Sequence, residues 1–419
     1  MSYLSELFAT DPAVGEILRA ELDRQQHTLV LIASENYASP AVLAASGTLF
    51  ANKYAEGYPG KRYYNGCAQM DAVESLAIER AKALFGCAHV NAQPHAGAQA
   101  NTAVYQALLK PGDGILSLQL NHGGHLSHGM PLNVSGELYQ ITHYTVGRES
   151  GRIDMDEVQA LAREHQPKLI LFGASAYPRH FEMARFRAIA DEVGALLMAD
   201  MAHVMGLIAG GAHPDPVPFC DVVTFTTHKT MRGPRGGMIL CREQYAKDID
   251  RAVFPGQQGG PFMHQIAAKA VMLAEAATPA FRAYAAAVVA NAQAMAGALE
   301  ARGYRLISGG TDNHLMLVDL RDKEITGRDA ANALEAAGIC CNKNVVPYDE
   351  RSPFVTSGIR LGTPAVTTRG FGAAECERVA QLVADVLDNL SDESVRAHVR
   401  AGVAELCAAH PLYEGYLDA

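Results

Sequence analysis

Two kinds of hydrophobic spacing alternate along the chain. From Asp11, "DPAVGEILRAELDRQQ" repeats its apolar positions at helical intervals behind an aspartate suited to capping a first turn, which predicts an amphipathic helix. "MDAVESLAIERAKALFG" predicts a second, stopped by Gly86. The pattern then shortens. "KLILFG" (Lys168–Gly173), "ALLMADM" (Ala195–Met201) and "DVVTFTT" (Asp221–Thr227) are apolar runs of strand length, and "MARFRAIADEVG" (Met183–Gly194) reads as a helix between the first two. Strand, helix, strand at this interval predicts an α/β domain with a mainly parallel sheet.

Beyond about Pro279 the pattern changes. A long Ala-rich helix (Phe281–Arg302) is followed by a strand, "NHLMLVDL", a helix, "GRDAANALEAAG", the stretch "SGIRLGTPAV" and a final helix from Phe371. These elements predict a smaller α+β domain. The expected division is residues 1–279 for an N-terminal arm and large domain and residues 280–419 for the small one, with no Pro/Ser-rich linker between them. A length of 419 residues suits two domains. The net charge of −10 argues against nonspecific binding to nucleic acid or anionic lipid. No apolar run approaches the roughly 18 residues of a membrane helix. The opening "MSYLSELFATDP" lacks a basic segment followed by an apolar one, so no signal peptide is expected. Eight scattered cysteines without a CxxC pair suggest free thiols in a reducing compartment, and a cytoplasmic location is the expectation.

In open α/β sheets ligands gather at the carboxyl ends of the strands. Three predicted strand ends carry polar groups: Ser175 closing "LILFGAS", Asp200 followed by His203, and Thr227, His228 and Lys229 after "VVTFT". Each has an ordinary structural reading, such as a cap or a solvated turn charge. Together they suit pyridoxal phosphate. The lysine amine makes a Schiff base with the cofactor aldehyde, and the aspartate keeps the pyridine nitrogen protonated so that the ring can accept electrons. His203 is placed to pack on the ring face. "QPHAGAQAN" offers Gly97 and Ala98 ahead of a helix, where backbone N–H groups cradle an anion. Arg360 lies in an apolar, Gly-rich setting, where a guanidinium needs a planar anionic partner. "KYAEGYPGKRYYNG" is either a packed structural loop or a loop presenting Tyr54, Glu56 and Tyr64 to a ligand. His122, His125 and His128 stand three apart, but no carboxylate or cysteine stands at matching spacing, so no metal is expected.

"SENYASP", "NKYAEGYPGKRYY", "QPHAGAQAN", "DMAHVMGL", "VVTFTTHKT", "FPGQQGGP", "GGTDNHL", "NKNVVP", "SPFVTSGIRLGTPA" and "TRGF" run in order from about Leu29 to Gly372. In them the chain resembles the serine hydroxymethyltransferase family. The resemblance implies the two-domain fold-type I pyridoxal-phosphate architecture and a homodimer acting on a small amino acid. It implies reversible one-carbon transfer from serine to tetrahydrofolate, giving glycine. Residue by residue, it implies that Lys229 carries the cofactor, Asp200 pairs with the pyridinium nitrogen, His203 stacks on the ring and His125 lies near the opposite face. Ser175 and His228 then belong to the cofactor pocket, and Thr226 sits beside the lysine. Arg360 with Ser34 takes the substrate carboxylate, and Glu56 with Tyr64 handles protons. Tyr54, Glu56, Tyr64 and Gly260 are expected to act in the neighbouring subunit's site. Tyr63, Leu120, Gly124, Lys343, Asn344 and Phe354 match the folate positions.

The chain departs from the family at several points. Ala96-Gly97-Ala98 replaces Ser-Gly-Ser, and losing one charge-assisted hydrogen bond costs about 1.5–3 kcal/mol unless replaced. Phe225 stands where small residues are common, and Val345 and Tyr348 where polar ones are. Phe225 is therefore expected to bear on substrate choice. The departures leave an alternative, an α-methylserine hydroxymethyltransferase or aldolase with D-alanine as acceptor.

Overall fold

The computed structural model describes residues 3–417. Seven strands form the main sheet: β1 (His89–Asn91), β2 (Gly114–Leu118), β3 (Gln140–Tyr144), β4 (Leu169–Gly173), β5 (Leu196–Asp200), β6 (Val222–Thr226) and β7 (Gly237–Cys241). Their spatial order is β1-β7-β6-β5-β4-β2-β3. All neighbours are parallel except β7, which runs antiparallel to both β6 and β1. The central strands read as unbroken apolar runs because both faces are covered. Ile170, Phe172, Leu197, Ala199, Val223 and Phe225 join one core, with the helices Ala68–Phe85 and Met263–Ala276. Leu169, Leu171, Met198 and Val222 join a second core, against the helix Gly97–Leu108. The alternation is the two-residue period of a strand.

Four antiparallel strands form a second sheet: β8 (Arg305–Leu306), β9 (Leu315–Asp319), β10 (Asn342–Asn344) and β11 (Gly358–Gly362), in the order β8-β9-β11-β10. The helix Pro279–Ala301, capped by Thr278, crosses the expected division at 279/280. Its Phe281, Tyr284, Ala285 and Val288 belong to the first core, and its Ala292, Met295, Ala296 and Leu299 to the core of the second sheet. The N-terminal arm contributes to that same core through Leu29 and Leu31, and Leu29–Val30 pairs in parallel with Ile339–Cys340.

The final helix expected from Phe371 is two helices, Ala373–Asp388 and Glu393–Ala409. Asp392 breaks the run because its carboxylate accepts from Ser394 N at 2.8 Å, capping a new first turn. Nearby, the buried Arg369 guanidinium donates to the backbone carbonyls of Gln25, Gln26, Thr28, Cys407 and His410. It thereby satisfies carbonyls at the C-terminal ends of helices Pro12–His27 and Glu393–Ala409, where a cation is favourable. Among the described residues no helix is long and apolar enough to cross a membrane.

Candidate active site

The carboxyl ends of β4, β5 and β6 open into a cavity of about 1190 Å³, walled on the far side by the second sheet. Asp200, the last residue of β5, anchors it. One carboxylate oxygen accepts from His128 Nε2 at 2.9 Å and Asn101 Nδ2 at 2.8 Å, and the other from Ala202 N at 3.1 Å. Burial alone raises a carboxylate's pKa. Here the His128 hydrogen bond and the neighbouring imidazoles win, and the Asp200 carboxyl is held well below the usual range. Thr224 of β6 completes the layer by donating to Asn101 Oδ1 at 2.6 Å, which fixes the direction of the Asn101 amide.

Lys229 follows β6 in a turn fastened by Asn36, whose Nδ2 donates to the Lys229 carbonyl at 2.9 Å, and by Thr230, whose hydroxyl donates to His203 O at 2.9 Å. That turn lies against Gly206, where a Cβ would meet the Thr230 carbonyl oxygen at 2.1 Å. Burial pushes the Lys229 amine down to about 8, against an upward pull from Asp200 and with further lowering from Arg360 and Arg235. His203 is buried, and its Nδ1 lies 3.1 Å from Nε2 of the fully buried His314. Desolvation holds both imidazoles neutral, and burial pushes His125 down to about 4. Arg360, on β11, is 8% exposed and brings its charge into the same cavity. Its hydrogen-bond partners among the described residues are neutral, the Ser175 carbonyl and Asn342 Oδ1. Burial pushes its pKa down to about 10. A buried guanidinium with only neutral partners is a ready site for a carboxylate.

The helix Gly97–Leu108 points its N-terminus into the cavity through Gly97 and Ala98, and Ala96 gives it no side-chain cap. The approach is close: a Cβ on Gly97 would come within 2.6 Å of Thr226 Cγ2. The first-turn N–H groups are therefore left for an anion. His228, another lining residue, has a buried Nδ1 with no hydrogen-bond partner among the described residues.

A model of the family described as serine hydroxymethyltransferase matches residues 7–383. The chain belongs to the serine hydroxymethyltransferase family. Members are fold-type I pyridoxal-phosphate enzymes of hydroxymethyl transfer and amino-acid metabolism, and the sheet order and mixed β7 agree with that architecture. The residues fit the cofactor on their own chemistry. An uncapped helix N-terminus suits its phosphate, an ionised buried carboxylate suits its ring nitrogen, and a buried amine of lowered pKa suits its aldehyde.

Ser34, Leu120, Gly124, Lys343 and Asn344 line this cavity together with Ser175, Thr226 and His228. Tyr54, Glu56, Tyr63, Tyr64, Gly260 and Phe354 are not among its lining residues. Five of these six share one surface region. Tyr54 and Tyr64 meet edge-on at 5.2 Å, and Tyr63 meets Phe254 at 5.6 Å. A Cβ on Gly260 would touch the Tyr54 ring, and one on Gly259 would lie 3.2 Å from Glu56 Oε1. The Glu56 carboxylate pushes the exposed Tyr64 phenol up. Phe354, 82% exposed, stands apart on the β10–β11 connection.

One expectation, Phe225 beside the pocket, needs correction, and two readings gain detail. The histidine cluster does have a carboxylate: Asp200, far away in sequence, brings its oxygen within 4.8 Å of ligand atoms of His125 and His128. His128 Nε2 is bonded to that carboxylate and His125 Nδ1 to Ser127 Oγ. Phe225 does not face the cavity. Strand alternation turns it to the opposite side of the sheet from Thr224 and Thr226, where it is fully buried and meets Phe85 edge-on at 5.6 Å. Tyr348 is a fastening between loops, with its hydroxyl donating to Val146 O at 2.6 Å and its ring against Arg148 and His122. Sequence reasoning gave no role to Asn101, His314 and Arg235, and named His128 only as a member of a histidine cluster. Asn101 and His314 stand inside the quoted "QPHAGAQAN" and "GGTDNHL", and Arg235 six positions after Lys229, so proximity to those motifs was the available signal.

Below about pH 8 the Lys229 amine is protonated and unreactive, and above it neutral. The rate at which the apoprotein combines with pyridoxal phosphate should therefore rise through a midpoint near 8. A rise centred on the ordinary lysine value would contradict the burial seen here. Phe225→Leu should lower stability by about 1 kcal/mol in urea denaturation. It should leave the ratio of kcat/KM between competing amino-acid substrates unchanged, and an altered ratio would return Phe225 to the pocket.

Proposed function

We propose that this chain is a pyridoxal-phosphate-dependent hydroxymethyltransferase that moves a one-carbon unit reversibly between serine and tetrahydrofolate, giving glycine and 5,10-methylenetetrahydrofolate. The observation that carries the reading is the convergence of Lys229, Asp200, His203 and Arg360 on one cavity beside an uncapped helix N-terminus. The cofactor, when bound, supplies an electron sink for the substrate's α-carbon. Lys229 is its covalent attachment point. Asp200 keeps a proton on the ring nitrogen, because a carboxylate this well supplied with donors stays ionised. His203 and His125, both neutral, cover the two ring faces, while Thr226, His228, Ser175, Gly97 and Ala98 complete the pocket. Arg360 and Ser34 orient the substrate through its carboxylate.

Glu56 and Tyr64 hold and move the proton of the serine hydroxyl, and Tyr54 and Gly260 support the cofactor. Their position on a surface away from the cavity of their own chain supports a site shared between two subunits of a homodimer. Tyr63, Leu120, Gly124, Lys343, Asn344 and Phe354 receive the folate. With Phe225 turned away from the cavity, the departure that most favoured an α-methylserine substrate loses its force.

Purified enzyme should convert serine to glycine only with tetrahydrofolate present, and D-alanine should not replace glycine in the reverse direction. Efficient use of D-alanine, or folate-independent turnover of α-methylserine, would overturn this assignment. Lys229→Ala should lack the visible absorption band of bound cofactor. Lys229→Ala and Glu56→Gln, each inactive alone, should recover roughly a quarter of wild-type activity when equal amounts are unfolded and refolded together, since half the dimers then carry one intact site. No recovery would argue against a shared site.

A further inference from the structure

Lys269 lies in the middle of the helix Met263–Ala276, 2% exposed, in a protein interior where a methionine or leucine would be the ordinary choice. Its ammonium donates to three backbone carbonyls, Ala92 O at 2.7 Å, Gly237 O at 2.9 Å and Pro94 O at 3.0 Å. Three donors meet three acceptors, so the group is fully used. Burial pulls its pKa down to about 7, and Glu74 pulls it up.

The carbonyls have a location in common. Ala92 and Pro94 belong to the segment leaving β1, which must turn into the helix Gly97–Leu108, and Gly237 begins β7 beside that turn. Most polar backbone groups in residues 92–95 are held by side chains. Asn91 Oδ1 accepts from Gln93 N, Gln258 Nε2 donates to Gln93 O, and Gln258 Oε1 accepts from His95 N. Lys269 holds the carbonyls of Ala92 and Pro94 and ties them to β7, whose Gly237 N donates to Pro94 O. The fit is close: a Cβ on Gly237 would lie 2.7 Å from Ala96 O and 3.1 Å from Gly97 N.

We propose that Lys269 is a positioning residue for the phosphate cup, holding the Ala92–Ala96 segment so that the N–H groups of the Gly97 helix converge on the cofactor phosphate. The proposal rests on the reading that pyridoxal phosphate occupies the cavity. It accounts for how a cup with Ala96 and Ala98 in place of hydroxyl residues works: with few side-chain donors to adapt, the backbone donors must already be in place. The buried ammonium also adds positive charge behind the cup. Lys269 touches neither substrate nor reacting atoms.

The test compares pyridoxal phosphate with pyridoxal, which lacks the phosphate, by equilibrium dialysis against the apoprotein. Lys269→Met should weaken the phosphorylated cofactor about tenfold and change pyridoxal by less than about twofold. Equal losses for both, or no loss for either, would overturn the positioning role. Failure of the wild-type protein to bind either aldehyde would instead overturn the cofactor reading itself, and the cup with it. If Lys269→Met does not fold, Gly236→Ala serves. Its new Cβ would lie 2.7 Å from Lys269 Cε and displace the ammonium, and the same selective loss is expected.

Discussion

A single ionised carboxylate governs the arrangement at the end of the sheet. Asp200 is 9% exposed, and a charge so placed is tolerated only where donors compensate for lost water. Asn101 comes from the helix after β1, His128 from the connection after β2, and Ala202 N from its own turn. The demand for those donors fixes where the helix Gly97–Leu108 lies on the sheet, and hence where its N-terminus opens. The same demand brings His125 to the cavity beside His128. Lys229 and Arg360 share the cavity with this anion, and neither is bonded to it. Their charges remain available to ligands.

Much of this was legible in the sequence, for identifiable reasons. β4, β5 and β6 are buried on both faces, so each is a mainly apolar run, and Asp200 at the end of β5 and Lys229 just beyond β6 stand out against them. β3, "QITHY", lies at the sheet edge and is only partly buried, so no such run marks it. Asn101 and His128 were harder. Their importance lies in a partner 99 and 72 positions away, and no local pattern announces it. Phe225 failed differently. Adjacent strand residues face opposite ways, and the two-residue period turns Phe225 away from the side that Thr226 presents to the cavity.

The loop carrying Tyr54, Tyr63 and Tyr64 joins features that ordinarily exclude one another. Its aromatic side chains are exposed, yet its backbone is held from beneath by Arg62, whose guanidinium binds Asp71, Glu74 and the carbonyls of Ala55 and Gly57. Gln93 links Glu74 and the Gly57 carbonyl to the segment leading into the phosphate cup. Exposed rings on a preorganised backbone lose little freedom when covered, which is the property expected of a surface built to meet another protein.

The N-terminal arm has a consequence for how the chain comes into being. Leu29 and Leu31 are fully buried in a core otherwise made from residues beyond Ala292, and Gln26 donates to the carbonyl of Leu412, 386 positions later. During synthesis the arm emerges well before these partners. Until the C-terminal helices are released, the apolar side chains of the arm have no permanent cover. The main sheet draws its strands from residues 89–241 and can assemble well before that, so the cavity acquires its Asp200 and Lys229 wall before Arg360 arrives to close it.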